Sequence, residues 1–391
     1  MPSGADHGRG QDRPSGAVGR RIGGAQEADL NYYFHIPFCR SKCGYCAFYS
    51  VPSPASGLID AYLDHLERQL AASPLPPAET IYLGGGTPTL LTAPQLERLF
   101  AMIARHLAPG DDSEISVEAN PETLDEAKVA LLRANVTRIS LGVQSFSADR
   151  RAILGRQCGD EALERALELI GVAGFPHWNV DLIYGIPGET PAMWRDDLRR
   201  AADCGVDHIS CYSLTPEEGS RLGGSFAVDD DAAQTMYEIV PETLSSYGIR
   251  RYEISNYARP GAECRHNVNV WRGGVLRGFG PAAAGFDGAD RMTEVESLER
   301  WLAGTPPELD RIPRELRLAE IFAVNLRTVA GWTPELWATV PDADSWENRL
   351  AVARRLERKL PKSWWKITPD RIKLSDEGLC FWNDAAEEVL T

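Results

Sequence analysis

The 391-residue chain contains no run of about eighteen apolar residues, so no membrane-spanning helix is expected. Its first thirty residues also lack the apolar centre of a secretory signal. Met1–Asp29, rich in Gly, Arg, Asp and Ser, reads as a disordered polar tail, and the expected location is cytoplasmic. Cations are in deficit: 41 Lys and Arg stand against 56 Asp and Glu, a formal net charge of -15. A chain of that sign gains little from counterion release, which disfavours nucleic acid as a partner, tRNA modification included. Cysteine is sparse at eight residues, and nothing signals an oxidising compartment, so a metal site with a few buried thiols is expected in place of a disulfide framework.

With 43% hydrophobic residues, the chain can bury a large domain and a smaller one. From Leu30, short β-rich runs alternate with amphipathic helical patterns, the signature of βα units and a parallel sheet. Strands are predicted at Asn31–Ile36, Thr80–Leu83, Glu114–Glu118, Arg138–Val143, Trp178–Ile183 and His208–Leu214. Six such units make a partial (β/α)6 barrel, a domain spanning 30–290, in the α/β class. From 291 to 391 the rhythm changes to helices, with one helix expected from Ser375 to Leu390. A short hairpin, Trp364–Thr368 with Arg371–Leu374, suggests a winged-helix-like domain. The Trp residues at 301, 332, 337, 364, 365 and 382 are expected in its core and interfaces.

Strand one runs into a loop in which Cys39, Cys43 and Cys46 stand as C-x3-C-x2-C. Three thiolates can converge there on one iron–sulfur cluster. Such clusters usually take four cysteines, so three leave one iron open to a small chelating molecule. A zinc site would need a fourth ligand, from His35 or from the distant Cys158, Cys204, Cys211, Cys264 and Cys380. The spacing resembles the radical S-adenosylmethionine (SAM) superfamily, which implies a [4Fe-4S] cluster with SAM on the open iron and Tyr45 against the adenine.

Other peculiarities fall after successive strands, where barrels of this kind build their sites. They are Gly84-Gly85-Gly86-Thr87-Pro88-Thr89, Glu118-Ala119-Asn120-Pro121, Gly142-Val143-Gln144-Ser145-Phe146 and Asp181 with Tyr184-Gly185-Ile186-Pro187-Gly188. Arg156, in Leu154-Gly155-Arg156, is either a surface residue or a fork for a carboxylate. With Tyr33-Phe34-His35-Ile36-Pro37-Phe38-Cys39, these motifs resemble the oxygen-independent coproporphyrinogen III oxidase family, which includes HemN and HemW. The resemblance implies SAM contacts at Tyr33, Gly85, Gly86, Thr87, Glu118, Gln144, Arg156 and Asp181.

HemN-type oxidases carry a further cysteine two places after the third; here that place is Phe48, as in the HemW branch. Cys264-Arg265-His266-Asn267-Val268-Asn269-Val270-Trp271 resembles that branch's H-N-x-x-[YF]-W segment, implicated in heme binding. By that resemblance His266 is a candidate axial ligand, with Cys264 as a rival thiolate and Trp271 as a porphyrin-stacking residue; Val270 departs from the pattern. A hydrogen-bonded, structural histidine is the alternative. The resemblance implies a heme chaperone passing heme to an acceptor protein, with a reductant such as flavodoxin or ferredoxin. An oxidase acting on porphyrinogen, or more remotely a radical SAM methyltransferase, would share the same site.

Overall fold

The computed structural model describes residues 30–215, 220–222 and 229–391; the tail expected at Met1–Asp29 lies outside them. Six strands run parallel in chain order: β1 (Leu30–Ile36), β2 (Ala78–Gly85), β3 (Glu114–Ala119), β4 (Arg138–Gln144), β5 (His177–Tyr184) and β6 (His208–Ser213). The helices between them are α1 (Leu58–Ala71), α2 (Ala93–Leu107), α3 (Glu126–Asn135), α4 (Ala148–Ile153), α5 (Asp160–Ala173) and α6 (Pro191–Asp203), and α7 (Asp230–Leu244) follows β6. This is the partial barrel expected from the βα rhythm.

Alternation along each strand sorts the side chains. Tyr32, Phe34 and Ile36 of β1, Ile81 and Leu83 of β2, and Leu141 and Val143 of β4 are buried in the apolar core with the helices. Their neighbours in sequence face the lumen and are polar: Asn31, Thr80, Glu114, Ser116, Arg138, Ser140, Asn179, His208 and Ser210 are all buried. Buried polar groups need partners, and these find one another across strands. Thr80 donates to Asn31 at 2.8 Å, and His208 Nδ1 meets Asn179 Oδ1 at 2.6 Å.

Beyond the six strands the sheet continues on both sides to twelve. β7 (Asn256–Ala258) runs antiparallel to β6 and pairs with Arg250–Arg251. On the other side β8 (Leu276–Phe279) lies parallel to β1, followed by antiparallel β9 (Ala284–Phe286), β10 (Arg291–Thr293) and β11 (Glu308–Asp310). Strand structure thus continues past residue 290, where the sequence pattern suggested that helices take over. The short β10 and β11 carry Arg, Thr, Glu and Asp on an edge, which hides them from a hydrophobic-period search.

The bottom of the barrel is closed by α8 (Arg265–Trp271) and the loop before it. Glu114, at the start of β3, accepts from the backbone N–H groups of Arg265 and His266, each at 2.9 Å, which fixes the start of that helix. Arg138 donates to the Ala262 carbonyl at 2.9 Å, and Asn269 reaches Asn31 at 3.1 Å. The polar residues low in the lumen are therefore the socket for this floor.

A second core gathers α9 (Arg314–Asn325), α10 (Trp346–Lys359), the hairpin β12 (Trp365–Thr368) and β13 (Arg371–Leu374), and α11 (Trp382–Leu390). Trp332 and Trp337 pack edge to face at 5.0 Å in its centre. The helix expected over Ser375–Leu390 is broken at Phe381, whose ring stacks on Trp364 at 4.6 Å. The two cores meet at Arg327, which pairs with the fully buried Glu253 carboxylate at 2.8 Å and lies over the rings of both Trp271 and Trp382.

Candidate functional site

The top of the barrel holds a cavity of about 580 Å³. Cys39, Cys43, Cys46, Tyr45, Gly85, Gly86, Thr87, Glu118, Gln144, Arg156 and Asp181 all line it. Residues up to 142 positions apart in the sequence are brought to one mouth because each closes or follows a parallel strand.

The cysteine loop is tied down at both ends. Phe38–Cys39 pairs with Val51–Pro52, closing the loop's base. At the far side Gly44 donates to the Leu154 carbonyl at 2.8 Å, which brings Cys43 beside Arg156. The Arg156 guanidinium reaches Cys43 Sγ at 3.9 Å and Asn120 Oδ1 at 2.9 Å, and also donates to the Gly142 carbonyl. Thr87 donates to Cys39 Sγ at 3.7 Å. Burial pushes the Cys39 and Cys46 thiols up, while hydrogen bonds, from Thr87 to Cys39 and from the Phe48 backbone to Cys46, work the other way.

Behind the cysteines, Gly86 nests against the end of β1. Its N–H donates to the Ile36 carbonyl at 2.9 Å, and a Cβ there would lie 2.7 Å from the Ile36 and Phe38 oxygens. Glu118 accepts from the Tyr82 hydroxyl at 2.9 Å and from the Gly85 N–H at 3.1 Å. Burial, reinforced by Asp181, pushes its carboxyl up to about 7. Asp181 is likewise raised by burial, against bonds from Ser140 at 2.9 Å and Asn179 at 2.7 Å. Gln144 holds the left-handed φ of 68°, rare for a residue with a side chain. The next turn is clamped by Asp197, which accepts from Ser145 at 2.7 Å and pairs with Arg150 at 3.0 Å.

Two implied residues are elsewhere. Tyr33 bonds His35 Nδ1 at 3.1 Å and is not part of the lining. His266 lies in the floor, 5% exposed, with Nδ1 on Thr80 at 2.7 Å and its ring 5.2 Å from that of Tyr82. Burial pushes its imidazole down to about 3, so it is neutral. Trp271, expected as a stacking face, is half-buried, with the Arg327 guanidinium 4.8 Å over its ring, and lines a smaller cavity apart from the barrel mouth. Sequence reasoning passed over Tyr82, Glu122, Ser140 and Tyr212 as lining residues, while Asn120 lies in a motif it marked. Period-two counting back from Gly84 and Gly142 would have marked Tyr82 and Ser140.

The lining fits an iron–sulfur cluster with SAM beside it. Arg156 Nε and Glu122 Oε2 are buried in the cavity wall without a partner, a cation and an anion suited to the two ends of an amino acid. The zinc alternative finds no fourth ligand at the mouth: both ring nitrogens of His35 are engaged, Nε2 with the Tyr49 carbonyl at 2.9 Å, and none of Cys158, Cys204, Cys211, Cys264 and Cys380 lines the cavity. Among the described residues no three His, Cys, Asp or Glu side chains are grouped to hold a single ion. A zinc ion needs sulfurs only about 4 Å apart, whereas a polynuclear cluster bonds each through a different iron. No described helix is long and apolar enough to cross a membrane.

The model of the radical SAM superfamily matches residues 33–201. The chain is 43% identical over 282 residues to the heme chaperone HemW of Mycobacterium tuberculosis, covering 68% of this chain and 71% of that protein. It is 33% identical over 343 residues to HemW of Synechocystis sp., covering 82% of each. The structure of the E. coli coproporphyrinogen III oxidase HemN, a radical SAM enzyme, superposes with a TM-score of 0.80 over 93% of this chain and 91% of that one, at 21% identity.

Proposed function

Because this chain belongs to the HemW family of radical SAM proteins, we propose that it is a heme carrier. It holds a [4Fe-4S] cluster and SAM in the barrel mouth, binds heme and delivers it to an acceptor protein. Cys39, Cys43 and Cys46 hold the cluster, and Arg156 takes the SAM carboxylate through its unpartnered Nε–H, its other nitrogens being held by Asn120, the Gly142 carbonyl and Cys43. Gly85 and Gly86 bring bare backbone up to the cofactor, while Glu118, Gln144 and Asp181 offer it acceptors and an amide. Once bound, the cluster with its reductant, a flavodoxin or ferredoxin, supplies one-electron reduction of the SAM sulfonium.

The observation that carries the choice of carrier over oxidase is Phe48. It occupies the place of the oxidases' additional cysteine and is 69% exposed at the mouth. An anaerobic incubation of reconstituted protein with coproporphyrinogen III, SAM and reductant is expected to yield no protoporphyrinogen at enzymatic turnover, while the same protein takes up heme and loses it to an apo-cytochrome. Sustained protoporphyrinogen formation overturns the reading.

His266 remains the proposed heme ligand on the resemblance alone, and its burial sets a condition. Ligation requires α8 to leave the floor, so saturation with heme is expected to speed amide exchange across residues 265–271. Unchanged protection together with an unchanged heme titration for His266→Ala removes His266 from the account.

A further inference from the structure

The charge of the chain is unevenly spread. Between Trp346 and Leu374 stand nine Lys or Arg and three Asp or Glu, although the formal net charge of the whole is -15. The segment comprises α10 and the β12–β13 hairpin, joined where Arg354 donates to the Ile367 carbonyl at 3.2 Å. Arg349, Arg354 and Lys359 are neutralised by Asp344, Glu357 and Glu388. Arg355, Arg358, Lys362 and Lys366 are exposed. Neither these four nor Arg371 and Lys373 form an ion pair among the described residues; the last two donate to the carbonyls of Ala330 and Val329.

Cations in the last turn of α10 suit the helix dipole. The hairpin has no such reason. Lys366 and Lys373 stand directly opposite each other across its two strands, an arrangement that costs stability. Lys373 is pushed below the ordinary lysine value, first by partial burial and then by Lys366 and Arg371. A chain with 56 acidic residues places none of them across from either lysine.

We infer that the hairpin and the adjoining turn of α10 form a docking face for an acidic protein surface. That this protein is the heme acceptor rests on the carrier reading above; the charge complementarity does not. A folded acidic partner is favoured over a polyphosphate or an anionic bilayer because it presents a bounded patch. An extended anion must also lie along the rest of the chain, which is more acidic still, at distances within about one Debye length.

The test titrates a short fluorescein-labelled poly-L-glutamate, about eight residues long and so confined to the patch, at low salt into the full chain, K366E and the control R133E, which makes the same charge change on α3 of the barrel. K366E is expected to bind about tenfold more weakly and to melt no lower than wild type, since a Glu–Lys pair replaces Lys–Lys across the strands. R133E is expected to match wild type. Equal affinity in K366E and wild type overturns the inference, as does tighter binding of duplex DNA or of phosphatidylglycerol vesicles than of poly-L-glutamate. A parallel heme titration separates the two readings. Wild type that takes no heme, yet loses poly-L-glutamate binding on K366E, overturns the carrier and leaves the surface standing.

Discussion

At the scale of the residue, environment decides which of several chemically similar side chains can serve. Cys43 stands at the mouth beside Arg156, whereas Cys211 is buried on β6 in the apolar core. Cys43→Ser is expected to lose the cluster iron after anoxic reconstitution and Cys211→Ser to keep it; iron analysis of the two proteins checks this. Arg156→Lys keeps the charge but loses the planar guanidinium whose Nε is unpartnered while its other nitrogens hold Asn120 and the Gly142 carbonyl, so SAM affinity measured by equilibrium dialysis should drop roughly tenfold or more while iron content holds. His266 has a consequence for acid stability. Its imidazole takes up a proton near pH 6.5 when unfolded and near 3 when folded, so the unfolded chain gains the proton first as pH falls. Stability is therefore lost from about pH 6.5 downward, by up to about 1.4 kcal/mol per pH unit. His208, also depressed by burial, acts in the same sense. In His266→Asn the slope of unfolding free energy against pH between 6.5 and 4 should be shallower, as chemical denaturation at several pH values would read. The cysteine spacing was legible in the sequence because three ligands on one loop are local. The fate of His266 was not, because its socket is made of Thr80 and Glu114, 186 and 152 residues away.

At the scale of the element, the site is a set of strand ends held in register by close backbone approach. Gly86 has carbonyl oxygens where a side chain would be, whereas Gly110 has open space. Gly86→Ala is expected to lower stability by about 1–3 kcal/mol and to reduce iron occupancy by displacing the cysteine loop. Gly110→Ala should change neither, and thermal melts with iron analysis distinguish the two. The six parallel strands could be read from sequence because each carries an apolar outward set followed by a Gly-rich or polar loop. The short strands β8 to β11 have no such period. The helix break at Phe381 follows from a tertiary contact with Trp364 that no local pattern announces.

At the scale of the whole molecule, two cores meet at the floor of the barrel, where the buried Glu253 carboxylate pairs with Arg327 beside a backbone bond from Val329 to the Tyr252 carbonyl at 2.9 Å. Removing Arg327 leaves the Glu253 carboxylate, with no exposed surface, without its countercharge, at a cost of about 3–5 kcal/mol. Arg327→Ala is therefore expected to split a cooperative calorimetric transition into two, with the C-terminal unit melting first; a single transition at the original temperature contradicts it. The floor itself has a consequence for traffic. While α8 stays seated, the described lumen is stoppered below by its bonds to Glu114, so on the proposed reading its contents come and go at the mouth, last in, first out. Anything seated over the sulfonium pocket locks the smaller occupant beneath it, and exchange of that occupant is then timed by the departure of the larger one.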